Sequence, residues 1–189
     1  MKYYQTVTLK DGRACVLRNG TSADGEEALR CFVLTHAETD SLLSYPDEIN
    51  LTLEKEAQYL EARAQSENEI EILAEVEGRI VGMAGIDRIG SQAKVRHRAN
   101  FGISIEKAYW GLGIGRALTR ACVESARKAG YRQVELEVVA ANRRAVSLYE
   151  SEGFAAFGRN PLGFCSRLNG MQEIILMRLE LNTDKEAEK

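Results

Sequence analysis

Residues 103–130 read ISIEKAYWGLGIGRALTRACVESARKAG, and the change of period inside this stretch decides the fold. Ile103, Ser104 and Ile105 end an extended apolar run; Gly111, Gly113 and Gly115 interrupt it; a helical period then begins. Ile114, Ala117, Leu118, Ala121, Cys122 and Ser125 fall at i, i+3, i+4, i+7, i+8 and i+11, one face of a helix, with Arg116, Arg120, Arg127 and Lys128 off that face. A glycine-rich turn opening a helix exposes backbone N–H groups with no side chains in the way, and the helix dipole adds partial positive charge there. Such a turn suits phosphate. Spacing separates the phosphate-binding loops that use it. A P-loop needs Gly-x-x-x-x-Gly-Lys-[Ser/Thr], and no Lys-Ser or Lys-Thr follows here. A dinucleotide loop needs Gly-x-Gly-x-x-Gly; counted from Gly111 the sixth position is Arg116, and from Gly113 it is Leu118. What remains is Gly-x-Gly-x-Gly between a strand and a helix, which by itself fits a structural turn as well as a phosphate cradle.

Working outward, the chain opens with a hairpin, Tyr3 to Leu9 and Arg13 to Arg18 around Asp11-Gly12. Thr21 to Asp24 offer N-caps for a helix whose stripe is Leu29, Phe32, Val33 and Ala37, and Thr52 caps a second helix ending near Gln65. Ile70–Val76 and Ile80–Ile89 read as strands joined at Glu77-Gly78-Arg79. After the long helix come a strand from Gln133 to Val139, a helix from about Asn142 to Glu152 closed by Gly153, and strands around Asn169-Gly170. Strand, helix, strand over 96–139 forms a parallel crossover. The expected fold is α/β (α+β), one domain over 1–181 with a central mixed, mostly antiparallel sheet flanked by helices. The polar tail, 182–189, is expected to fray.

At 189 residues, 44% hydrophobic and 28% charged, the chain has the balance of a single globular domain. A net charge of -3 gives no basic footprint for nucleic acid. The start, MKYYQTVTLKDG, has no apolar h-region, and no run reaches membrane-spanning length, so a cytoplasmic protein without a membrane partner is expected. Cys15, Cys31, Cys122 and Cys165 are scattered, with no Cys-x-x-Cys pair, so neither a metal knuckle nor a disulfide framework is expected.

Residues 110–115, Trp-Gly-Leu-Gly-Ile-Gly, resemble the pyrophosphate loop of the GNAT (Gcn5-related N-acetyltransferase) superfamily, whose pattern is Gln/Arg-x-x-Gly-x-Gly/Ala. Trp110 departs from that pattern. Residues 136–154, LEVVAANRRAVSLYESEGF, resemble the second block of the same superfamily: a strand, then Asn, Ala, Leu-Tyr and Gly-Phe. The resemblance implies acetyl-CoA as cosubstrate, no metal, and a primary amine on a small molecule or peptide as acceptor. It is compatible with a homodimer. It implies that backbone amides of Gly111, Leu112, Gly113, Ile114, Gly115 and Arg116 hold the diphosphate, that the pantetheine arm lies along Ile103, Ser104 and Ile105, and that Asn142 contacts the cofactor. On its own residues Asn142 is equally a helix N-cap.

The resemblance also makes Tyr149 the general acid for the leaving thiolate, although Ala145, Val146 and Leu148 around it fit a core tyrosine. Glu137, twelve residues before Tyr149, has the spacing of the base in the ribosomal-protein N-terminal acetyltransferases. Its alternation with Glu135 equally fits solvated strand carboxylates. Glu71, Asp87, Glu106 and His97 are further candidates for the base. Glu38, Asp40, Asp47 and Glu48 give the loop between the first two helices an acidic character that suits a cationic amine, or simply a solvated loop. Two other readings stay open: a non-catalytic acyl-CoA-binding module of the same fold, and an enzyme using a different phosphorylated cofactor.

Overall fold

The computed structural model describes residues 1–181; the tail at 182–189 lies outside the described residues. The eight strands are β1 (Tyr4–Thr8), β2 (Ala14–Asn19), β3 (Ile70–Val76), β4 (Arg79–Arg88), β5 (Arg98–Ile105), β6 (Gln133–Val139), β7 (Ala155–Ser166) and β8 (Gly170–Glu180). The four helices are α1 (Gly25–Glu38), α2 (Leu53–Gln65), α3 (Ile114–Lys128) and α4 (Arg143–Ser151). The strands form one sheet in the order β1-β2-β3-β4-β5-β6-β8-β7. Every neighbouring pair is antiparallel except β5 and β6, joined in parallel through α3. The β3–β4 turn has positive φ at both Glu77 (53°) and Gly78 (78°), the backbone a tight hairpin needs.

The sheet buries both faces. On one, Leu118, Ala121 and Cys122 of α3 and Val146 and Tyr149 of α4 pack on Ile70, Ile72, Ile86, Phe101, Val134 and Leu136. Each fully buried Leu or Ile there contributes roughly 1.5–3 kcal/mol. On the other, Ala28, Cys31 and Leu60 of α1 and α2 cover Leu73, Ile80 and Met83. Thr52 caps α2 by accepting the Lys55 N–H, as its position before an apolar period requires.

The stripe expected for α1 is rotated. Gly25, Ala28, Cys31, Thr35 and His36 are the buried positions. Leu29, Val33 and Ala37 instead line an open groove of about 620 Å³ with Leu34 and Leu53. The second apolar row of this helix is spaced just as regularly as the first, and only the approach of α2 and β4 decides which one the sheet takes.

Candidate active site

The parallel pairing of β5 and β6 is short. It joins Arg98 to Gln133, Ala99 to Val134 and Asn100 to Glu135, and stops there. Beyond it the strands diverge: β5 stays bonded to β4 as far as Ile105, and β6 to β8 as far as Val139. A fork opens in the sheet, and its walls are backbone. Glu106 N–H donates to Val81 and Ile89 N–H to the Arg98 carbonyl, so the even-numbered residues of β5 bond to β4. The backbone of Phe101, Ile103 and Ile105 therefore turns into the fork. Across from it, Ala140 N–H bonds Glu173 and Leu181 N–H bonds Arg132, which leaves Glu137 and Val139 facing the fork from β6. Of the three strand residues expected to hold the pantetheine arm, Ile103 and Ile105 have the right backbone direction. Ser104 does not: its amide and carbonyl lie on the β4 side.

The fork leads to the glycine loop. Gly111 (φ 83°) and Gly113 (φ 104°) sit in the left-handed region, and a Cβ at either would meet nothing within 4 Å. Gly113 is the N-cap of α3 and no side chain caps it. Among the described residues no acceptor takes the amides of 111–116, whereas the Leu112 carbonyl is held by Lys10 N–H at 3.1 Å. Gly115 serves packing, since a Cβ there would stand 3.2 Å from Leu148 Cδ2. The Arg116 side chain is committed to Glu152 at 2.9 Å, so its contribution to the loop is its amide. Open space over unpartnered amides at the start of a 15-residue helix fits a diphosphate.

Asn142 is an N-cap: its side chain accepts the Ala145 N–H at 3.2 Å. Tyr149 lies in an aromatic cluster beside the fork's vertex, with ring centroids 6.1 Å from Phe101 and 5.9 Å from Phe154. Burial raises its pKa to about 12. The Tyr149 hydroxyl has no hydrogen-bond partner among the described residues, yet unlike the Tyr131 hydroxyl it is not a fully enclosed unpaired atom. Its ring is core and its hydroxyl is unpaired, so the packing and chemical readings of the sequence are compatible.

Glu135 and Glu137 share a face but not an environment. Glu135 is buried and gripped by Arg98 (Nη2 at 2.7 Å) and Gln133. Glu137 is exposed, in the part of β6 that borders the fork, and its carboxylate has no partner among the described residues. Of the other carboxylates, Glu106 is buried between Arg30 (2.7 Å) and Arg79 (3.1 Å), and Asp87 is paired with Arg63. His97 is exposed on the turn before β5. Glu71 is buried on β3, accepts from Tyr59 OH at 3.1 Å, and has its pKa raised to about 8, chiefly by desolvation.

Two strand glycines escaped attention in the sequence and shape this face. Glu71 is opposite Gly85, and Gly85 opposite Gly102. Continuing the register past Asn100 and Glu135 places Glu137 across the fork from Gly102. The Glu71 carboxylate fills the space above Gly85, while nothing lies within 4 Å of a Cβ position at Gly102. A bare floor thus adjoins Glu137. An isolated glycine in a strand pattern signals such a close approach.

The acidic loop is not a free cation trap. Glu38 accepts Lys107 N–H at 2.6 Å, Asp40 accepts from Ser166, Asn169 and Tyr45, and Asp47 and Glu48 bind Arg167. Arg167 also lies over the Tyr45 ring at 4.0 Å. Asp40, Asp47 and Glu48 thus clamp the loop to the β7–β8 turn, and Glu38 ties the end of α1 to the segment after β5.

The sequence profile of the Acetyltransferase (GNAT) family matches residues 35–154. The chain belongs to the GNAT family. It is similar to the N-alpha-acetyltransferase RimI of Mycobacterium tuberculosis, 40% identical over 81 residues, covering 43% of this chain and 49% of that protein. It is also similar to the [ribosomal protein bS18]-alanine N-acetyltransferase of Escherichia coli K12, 34% identical over 84 residues, covering 43% and 55%. The chain thus spans about half the length of the curated relatives it matches. An acetyltransferase of the GNAT family from Streptococcus pneumoniae superposes with a TM-score of 0.84 at 30% identity, covering 88% of this chain and 99% of that one. The fold is also that of yncA from Salmonella typhimurium, solved with its cofactor acetyl-CoA, with a TM-score of 0.79 at 18% identity over 89% and 95%. Among the described residues of this GNAT chain, no helix is long and apolar enough to cross a membrane.

Proposed function

We propose that residues 1–181 form one acetyltransferase domain that moves the acetyl group of acetyl-CoA to a primary amine by direct attack. The observation that carries this reading is the fork: a gap between β5 and β6, walled by backbone groups that no neighbouring strand takes, running into an open glycine loop. An extended pantetheine arm completes the missing hydrogen bonds as an added strand does, and the loop amides take the diphosphate. The relatives named above as N-acetyltransferases, one of them acting on an alanine of ribosomal protein bS18, support an amine on a small molecule or peptide as acceptor.

The chain's residues then divide the work by face. Glu137 lies on the α1–α2 face of the fork, with Gly102 leaving room beside it. Tyr149 lies on the α3–α4 face with Phe101. The amine approaches from the Glu137 side and gives up its proton through water to that carboxylate. Its lone pair forms the C–N bond to the acetyl carbon as the C–S bond breaks. The sulfur departs on the opposite face, where the Tyr149 hydroxyl supplies a hydrogen bond and then a proton. N–H groups of Ile103 or Ile105, beyond the last β5–β6 pair, are available to the oxygen on which negative charge grows, a contribution worth about 10²–10³ in rate per donor in such sites.

No covalent relay is needed. Burial raises the pKa of Cys15 to about 11 and of Cys31 to about 12, and lifts that of Cys122 as well, so these three are neutral thiols at pH 7. The test is a panel of amines and peptides assayed for free-thiol release from acetyl-CoA. Turnover with at least one amine, with no stoichiometric acetyl adduct by intact mass on mixing with acetyl-CoA alone, is the expected result. Acetyl-CoA binding with no turnover on any acceptor would return the chain to a non-catalytic acyl-CoA module.

A further inference from the structure

Trp110 stands where the family pattern carries glutamine or arginine, and its side chain is held from two directions. The indole N–H donates to the Ile105 carbonyl at 2.8 Å, one of the groups that faces the fork. Over the ring lies the guanidinium of Arg144, its Cζ 5.0 Å from the ring centroid. Arg144 comes from the first turn of α4, and Leu148, four residues on, occupies the same face of that helix. Leu148 is the residue that packs over Gly115. The two contacts run in step, Arg144 on Trp110 and Leu148 on Gly115, so the start of α4 lies along the glycine loop with its arginine at the Gly111 end.

The charge of this arginine is oriented without being neutralised. Arg116 and Arg120, the cations of α3 nearest the loop, are both ion-paired with Glu152, at 2.9 and 2.7 Å. Arg144 has no carboxylate partner among the described residues. A guanidinium stacked on an indole keeps its in-plane N–H donors free, and that fork matches phosphate oxygens. A helix N-terminus alone offers about half a positive charge, little against a diphosphate. One arginine adds a full charge.

We propose that Arg144, positioned by Trp110, binds the diphosphate of the acyl donor together with the loop amides, supplying from α4 the side-chain donor that the family pattern carries at position 110. The proposal rests on the donor-site reading above. Arg144 is exposed and Trp110 half-buried, so substitutions at both leave the core intact.

The experiment is isothermal titration of the full chain with acetyl-CoA and with its dephospho form, which keeps the diphosphate but lacks the 3′-phosphate. Arg144→Ala should weaken both about tenfold, the scale of one charge-assisted hydrogen bond at a partly exposed site. Adding Arg144→Ala to Trp110→Leu should cost little more than Trp110→Leu alone. Trp110→Arg in the Arg144→Ala background should restore most of the affinity, which a packing role for Arg144 would not produce. A loss confined to acetyl-CoA and absent for the dephospho form assigns the arginine to the 3′-phosphate and overturns the proposal. So does an Arg144→Ala protein with unchanged affinity for both. A wild-type chain that fails to bind acetyl-CoA overturns the donor-site reading itself.

Discussion

Tyr149 meets Phe101 almost perpendicularly, with ring centroids 6.1 Å apart at 86°. This contact ties α4 to the strand residue at which the sheet forks. Tyr149→Phe keeps the ring and the contact and removes only the hydroxyl. Folding and acetyl-CoA affinity should be nearly unchanged, while kcat falls on the order of 10²-fold. With a pKa raised to about 12, the hydroxyl stays protonated throughout the working range. The loss should therefore be the same from pH 6 to pH 10, and smaller with an acyl donor whose thiol leaves more easily. A near-wild-type kcat with chemistry rate-limiting would leave Tyr149 a packing residue.

Glu137→Gln keeps the shape of the side chain and removes its ability to accept a proton. The rate deficit should be greatest at low pH, where the acceptor is mostly an ammonium ion, and should shrink as pH rises and the free amine becomes abundant. A pH–rate profile superimposable on the wild type would make Glu137 a solvated strand residue. Glu135→Gln is the contrasting control: it breaks the Arg98 pair and should act on stability rather than on the profile.

Gly113→Ala and Gly113→Glu separate strain from charge. At φ 104° any Cβ is strained, by about 1–2 kcal/mol, so both variants should lose a few degrees in Tm. The space beyond that Cβ is open, so Gly113→Ala should still bind acetyl-CoA measurably. Gly113→Glu puts a carboxylate where the diphosphate belongs and should abolish binding in a protein that is still folded. Calorimetry on the two variants decides it; equal affinities would empty the loop of its phosphate role.

Glu71 should make stability depend on pH. Its pKa is raised from 4.5 to about 8 in the folded chain, so the folded state holds the proton more tightly than the unfolded state. No penalty exists below pH 4.5, where both states are protonated. Stability then falls as pH rises from about 4.5 to about 8, by up to an order of 4–5 kcal/mol if the full shift is realised. Glu71→Gln retains a partner for Tyr59 and should flatten that part of the curve, leaving the variant more stable than wild type at pH 8 to 9. Denaturant midpoints measured from pH 5 to pH 9 test the sign directly.

The amino-acid sequence by itself determined the elements and the loop. Period changes around residues 103–130, the caps at Thr52 and Asn142, and the turns at Glu77-Gly78 and Asn169-Gly170 are local, and local backbone chemistry reads them. The glycine spacing excluded two other phosphate loops for the same reason, since the requirement is on the conformation of a few consecutive residues. Tertiary structure alone decided the rest. Whether Ser104 or its neighbours face the fork depends on the hydrogen-bonding phase of β5 against β4. Glu135 and Glu137 are indistinguishable by alternation, and only Arg98, brought alongside by the parallel register, separates them. Which apolar row of α1 is buried depends on α2 and β4, and Asp40, Asp47 and Glu48 of the loop are consumed by a hairpin more than a hundred residues away. Trp110 departed from its family's pattern in sequence, and its meaning came from Arg144, a partner 34 positions along the chain: contacts across such separations are set by packing, which no local pattern encodes.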